Sequence, residues 1–137
     1  EINTNMTNYV VQKVGEALNT VKRSIKGSRI LVLGLAYKKN VDDSRESPSY
    51  TIIDILMKKG ADVQYSDPFL PKAPKTRKFN FDLKSIELTS DNIKSFNAVL
   101  LITEHDSFNY ELIIREAKLI VDTRGKLNRN LPNVIAA

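Results

Sequence analysis

The chain has 137 residues, with 21 Lys plus Arg against 16 Asp plus Glu, a formal net charge of +5 at neutral pH. Lengths of about 100–150 residues point to one domain, and 42% hydrophobic with 27% charged residues excludes disorder as the default. With no cysteine and a single histidine, disulfide stapling, thiolate zinc sites and a cysteine nucleophile are excluded within these residues.

The longest apolar run, residues 98–102, is strand-sized against the roughly 20 residues a bilayer span requires, so no membrane partner is expected. The sequence opens on Glu1, almost inside a helical pattern, and is expected to be a cytoplasmic piece of a longer protein.

Over residues 5–25 the apolar positions Met6, Val10, Val14, Ala17, Leu18, Val21 and Ile25 recur at spacings of three and four. They predict one long helix with a single greasy stripe, buried on a neighbouring domain or partner subunit, or folded back on its own domain. Residues 26–28 break that helix, and residues 29–33 (R-I-L-V-L) read as a strand covered on both faces, ending at Gly34. A polar loop follows over residues 38–46. Ser47 and Pro48 then start a helix as N-cap and first helical residue. Tyr50, Ile53, Leu56 and Met57 line its buried face. Lys58 and Lys59 oppose its C-terminal dipole, and Gly60 supplies the left-handed turn.

Residues 61–65 form a second strand, stopped by Ser66-Asp67-Pro68, and residues 69–80 read as a loop whose Lys72, Lys75, Arg77 and Lys78 face solvent. A short helix over 91–96 capped by Ser90, a strand over 98–103, a helix over 110–117 and a strand from 118 to 121 complete the pattern. Strands alternating with helices over short connections predict an α/β fold, a Rossmann-like doubly wound parallel sheet preceded by a long connecting helix. The boundaries expected are 1–26 for the connecting helix and 27–137 for the sheet domain.

Ligands of such sheets bind beyond the carboxyl ends of the strands. Those ends carry Tyr37, Lys38, Lys39, Asp42, Asp43, Arg45 and Glu46 after the first strand and Asp67 after the second. After the third come Thr103, Glu104, His105 and Asp106, and after the fourth Asp122 and Arg124. Two of these sets bear an arginine, which suits an anionic ligand such as a diphosphate. Of the dinucleotide pattern G-x-G-x-x-G only Gly34 is present, so side chains must make the contacts that backbone makes elsewhere. Lys38 offers a point charge, or else is a solvated loop lysine. Tyr37 offers an aromatic face, or else packs in the core.

The run G-L-A-Y-K-K-N-V-D-D-S-R-E-S-P over residues 34–48 resembles the start of the C-terminal, UDP-binding domain of the UDP-glucose/GDP-mannose dehydrogenase family. Y-S-D-P at 65–68, A-V-L-L-I-T-E-H at 98–105 and V-D-T-R-G at 121–125 are similar to that family in order and spacing, and residues 3–19 to its linking helix. Y-K-K-N-V-D-D-x-R-E-S-P followed by Y-S-D-P looks most like bacterial UDP-N-acetylglucosamine 6-dehydrogenases.

The resemblance implies an NAD-dependent oxidation of the C6 hydroxyl of a UDP-sugar to a carboxylate. The catalytic cysteine and the NAD-binding Rossmann domain would belong to an N-terminal catalytic domain, so the chain alone is expected to be inactive. It further implies that Tyr37, Lys38 and Arg124 contact the UDP-sugar, and that Arg45 reaches the NAD held by that N-terminal domain. Glu46 is read as favouring the following helix N-terminus. The first-helix stripe suggests a homodimer.

Alternatives within the resemblance are UDP-glucose or UDP-N-acetylmannosamine as substrate, or a nucleotide-sugar-binding module without catalysis. Asp42 and Asp43 are not expected to hold a metal. Asp67 is read as turn chemistry and His105 as a structural hydrogen-bonding group. No nucleic-acid partner is expected, because the aromatic residues are not interleaved with a continuous basic stripe.

Overall fold

A computed structural model describes residues 4–44 and 47–137. In chain order the elements are α1 (Thr4–Asn19), β1 (Arg29–Leu33), α2 (Pro48–Lys58), β2 (Asp62–Ser66), α3 (Ser90–Lys94), β3 (Ala98–Leu101), α4 (Tyr110–Glu116), β4 (Ile120–Asp122) and β5 (Val134–Ala136). The strands form one parallel sheet in the order β2-β1-β3-β4-β5. The α/β doubly wound fold expected from the sequence is the fold observed.

Alternate residues of each central strand serve opposite faces, as the pleat requires. Ile30 and Val32 of β1, with Ala98 and Leu100 of β3, join a core shared with α1 and α2. Leu31, Leu33, Val99 and Leu101 join a second core beneath α3 and α4. Both faces are covered, which is why these strands read as unbroken apolar runs.

α1 occupies a place the connectivity would otherwise leave bare. β4 runs to β5 through residues 123–133 without a helix, so no crossover element covers the α2 face of the sheet beyond β1. Val10, Val11, Val14, Ala17 and Leu18 of α1 fill that face, packing on α2, β3 and β4. Of the two placements open for the stripe, folding back on its own domain is the one observed.

The helix is shorter than the predicted 5–25. Lys22 takes a left-handed φ of 62°. The Arg23 amide then donates to the Leu18 carbonyl at 3.0 Å and the Lys22 amide to Asn19 at 3.0 Å. This is a Schellman ending built without glycine, so no local signal announced it. Ile25 still packs against the same core, which accounts for the periodicity running on past the helix.

α2 matches its signals. The Ser47 side chain accepts from the Ser49 amide, proline opens the helix, and Gly60 ends it at φ 97°. α3 begins one residue early, with Thr89 rather than Ser90 as its cap. The segment 69–85 is tied down more than its prolines suggest. Phe79, Phe81 and Tyr50 stack with ring centroids 5.6–5.9 Å apart, while Lys72, Lys75, Arg77 and Lys78 face solvent as expected. β5, three residues after Pro132-Asn133, was not predicted at all.

Candidate functional site

In a 2-1-3-4-5 sheet the chain leaves β1 towards one edge and β3 towards the other, which opens a crevice above the carboxyl ends of those two strands. The turn after β1 borders that crevice and is fixed by groups from three other elements. At Gly34, with φ 97°, an added Cβ would lie 2.4 Å from the Thr103 Cβ and 2.7 Å from its backbone nitrogen. Gly34 therefore serves close approach to Thr103, whereas the glycines of a dinucleotide turn leave room for a pyrophosphate.

The Thr103 hydroxyl donates to the Ala36 carbonyl at 2.7 Å, and the Ser49 hydroxyl donates to Gly34 at 2.7 Å. One buried carboxylate organises the same turn. Asp67 Oδ2 accepts from the amides of Leu35 (2.8 Å) and Ala36 (2.9 Å) and from His105 Nε2 (2.9 Å), and Oδ1 accepts from Phe69 at 2.9 Å. Burial pushes the Asp67 carboxyl up, but the His105 and backbone donors outweigh it and hold the group below the usual aspartate range. The bond to Phe69 is the local turn that Ser-Asp-Pro predicts. The bonds to Leu35, Ala36 and His105 are long-range and have no sequence signature.

His105 is fully buried, and its Nδ1 accepts from the Asn40 amide at 2.7 Å. A nitrogen that accepts carries no proton, so the imidazole proton sits on Nε2, facing Asp67. Asn40 has φ 63°. Its side chain donates to Asp106 Oδ2 at 2.7 Å and accepts from the Asp106 amide at 3.0 Å. Neither Asn40 nor this pairing was singled out from the sequence.

Between the two anchors lie Tyr37, Lys38 and Lys39. The Tyr37 ring is 40% exposed, which removes the core-packing reading. Lys38 is exposed and makes no ion pair among the described residues. Lys39 reaches Asp106 at 3.5 Å. Across the crevice, buried Asp122 shapes the turn after β4 by accepting from the Arg124 and Leu127 amides, each at 2.8 Å. Arg124 Nε then donates to Glu104 at 2.9 Å.

Partial burial raises the Glu104 carboxyl, but the bond from Arg124 and the charges of Arg124 and Lys39 bring it below the ordinary glutamate range. Lys39 on Asp106 and Arg124 on Glu104 thus bring the turns after β1, β3 and β4 to one rim. Arg45 and Glu46 lie outside the described residues. No cluster of potential metal ligands occurs among the described residues, and no described helix is long and apolar enough to cross a membrane.

Residues 31–129 match the UDP binding domain of the UDP-glucose/GDP-mannose dehydrogenase family. The chain belongs to this family. Similar curated relatives include a UDP-N-acetyl-D-mannosamine dehydrogenase of Methanococcus vannielii, 34% identical over 96% of this chain and 30% of the relative. Another is a UDP-glucose 6-dehydrogenase of Rickettsia conorii, 31% identical over 76% of this chain and 25% of that protein. A solved UDP-glucose dehydrogenase from Pyrobaculum islandicum superposes with a TM-score of 0.71 at 27% identity, covering 98% of this chain and 29% of that one. The UDP-D-ManNAc dehydrogenase structure from Pyrococcus horikoshii, at 24% identity and a TM-score of 0.75, shares the fold. The chain spans about 30% of the length of the first of these relatives, and the part it matches in the UDP-glucose/GDP-mannose dehydrogenase family is the UDP binding domain.

Proposed function

We propose that this chain is the nucleotide-sugar-holding part of an NAD-dependent UDP-sugar 6-dehydrogenase, working with an N-terminal catalytic domain that supplies the cysteine and the NAD site. The observation that carries the reading is the meeting of the β1 and β4 turns on the segment after β3, where Lys39 reaches Asp106 at 3.5 Å and Arg124 donates to Glu104 at 2.9 Å. A diphosphate resting on that rim would meet Lys38 as an exposed cation and Arg124 as a planar fork that gives its Nε to Glu104. The half-exposed ring of Tyr37 would border the uridine or ribose.

The absence of cysteine within the chain supports a division of labour in which these residues bind and orient but do not attack. NAD, when bound to the whole enzyme, would accept the hydrides. Arg45 is our candidate for the contact this domain makes with it. The residues 37–48 favour UDP-N-acetylglucosamine, and the names of the Methanococcus relatives favour UDP-N-acetylmannosamine. Both are 2-acetamido hexoses on UDP, and that is the substrate class we infer. A homodimer belongs to the same proposal, although the middle of the stripe that suggested it is buried within the domain, with Met6 and Val21 exposed towards its ends.

Calorimetric titration of UDP into Lys38→Ala and Arg124→Ala tests the reading. Each should lose about 1.5–3 kcal/mol of binding, the scale of bonds to charged groups. Affinities equal to the parent would remove both residues from the site.

A further inference from the structure

The buried pair beneath the β1 turn has no expected ligand contact, yet it fixes both ends of the segment that does. Asp67 and His105 are 1% and 0% exposed. On one side Asp67 holds the amides of Leu35 and Ala36. On the other, His105 Nδ1 holds the Asn40 amide. Only Tyr37, Lys38 and Lys39 lie between.

The imidazole sits between Phe69 and Phe108, with ring centroids at 4.9 Å and 5.4 Å, so an aromatic hydrocarbon would fill the same space. Burying an acid and an imidazole there costs desolvation that core formation does not require. What the polar pair adds is a fixed backbone path.

We propose that Asp67 and His105 are positioning residues for nucleotide binding: they clamp residues 36–40 so that Tyr37 and Lys38 face the crevice. The inference rests on the nucleotide reading above, and it predicts an effect on affinity from two side chains that the nucleotide does not touch.

The test is UDP titration of His105→Phe alongside amide hydrogen exchange of the free chain. His105→Phe keeps the ring and removes both hydrogen bonds. UDP affinity is expected to fall about tenfold or more, and the Asn40 amide to lose protection while the amides of β3 keep theirs. His105→Gln, whose amide can donate towards Asp67, is expected to recover part of the affinity.

Because His105 would act through the segment bearing Lys38, adding Lys38→Ala to His105→Phe should cost less than Lys38→Ala costs alone. Should His105→Phe fail to fold, His105→Gln carries the test: it removes the imidazole Nδ1 that holds the Asn40 amide, and UDP binding weaker than the parent's is again expected. Parent-like UDP affinity in either folded variant, or additivity in the double variant, overturns the clamp while leaving the nucleotide site standing. A parent chain that binds no UDP overturns the nucleotide reading itself, and the clamp's function with it.

Discussion

At the rim, single side chains compete for the same partners. Arg124 spends its Nε on Glu104, and Lys39 reaches the neighbouring Asp106. A diphosphate arriving there must share Arg124 with a carboxylate whose charge opposes its own. Glu104→Gln removes that charge and leaves the shape, so UDP should bind tighter by up to about 1 kcal/mol, the scale of an exposed ion pair. Weaker binding in a titration would mean that Glu104 aims Arg124 rather than competing for it. Much of this rim was legible: Tyr37, Lys38, Lys39, Glu104 and Arg124 follow from listing polar residues at strand ends. What holds them was not. Asn40 and the Oδ2 oxygen of Asp67 act through contacts tens of residues away in sequence, which no local spacing encodes, whereas Asp122, already among the strand-end residues, holds its own turn through the nearby amides of Arg124 and Leu127.

Elements whose ends carry their own chemistry were read correctly, and those that lack it were not. α2 has serine, proline and glycine where its caps need them. α1 ends instead on Lys22, held in the left-handed region by its Schellman bonds. A Cβ there costs roughly 1–2 kcal/mol, partly offset by the greater freedom glycine gives the unfolded chain. Lys22→Gly should therefore stabilise the domain by about 0.5 kcal/mol in chemical denaturation, whereas destabilisation would contradict the capping geometry. β5 was missed for a related reason. Three residues at a sheet edge, one of them buried, present too short a pattern to separate from a tail.

Across the molecule, unbroken apolar runs and short crossovers were enough to reach a doubly wound sheet, but the position of α1 required the topology. Only the helix-free link from β4 to β5 reveals a bare face for the stripe to cover. The β1, β2 and β3 ends are also joined through one acid, so the stability of the fold should carry its titration. The folded-state value of Asp67 lies below that of the unfolded chain. Its contribution is therefore fully present above the unfolded value of about 4 and fades as the pH falls through the lower folded value. Asp67→Asn should lower the melting temperature markedly near pH ~7, and the gap to the parent should narrow near pH ~3. An equal gap at both pH values would show that the carboxylate's charge is not what holds the turn.

The most direct measurement is a calorimetric comparison of UDP with uridine on the 137-residue chain. If positive side chains from the β1 and β4 turns hold a diphosphate, UDP should bind with a salt-sensitive affinity and uridine at least about tenfold more weakly. Equal affinities for the two, or no heat with UDP while the chain is folded, would contradict a phosphate-binding rim.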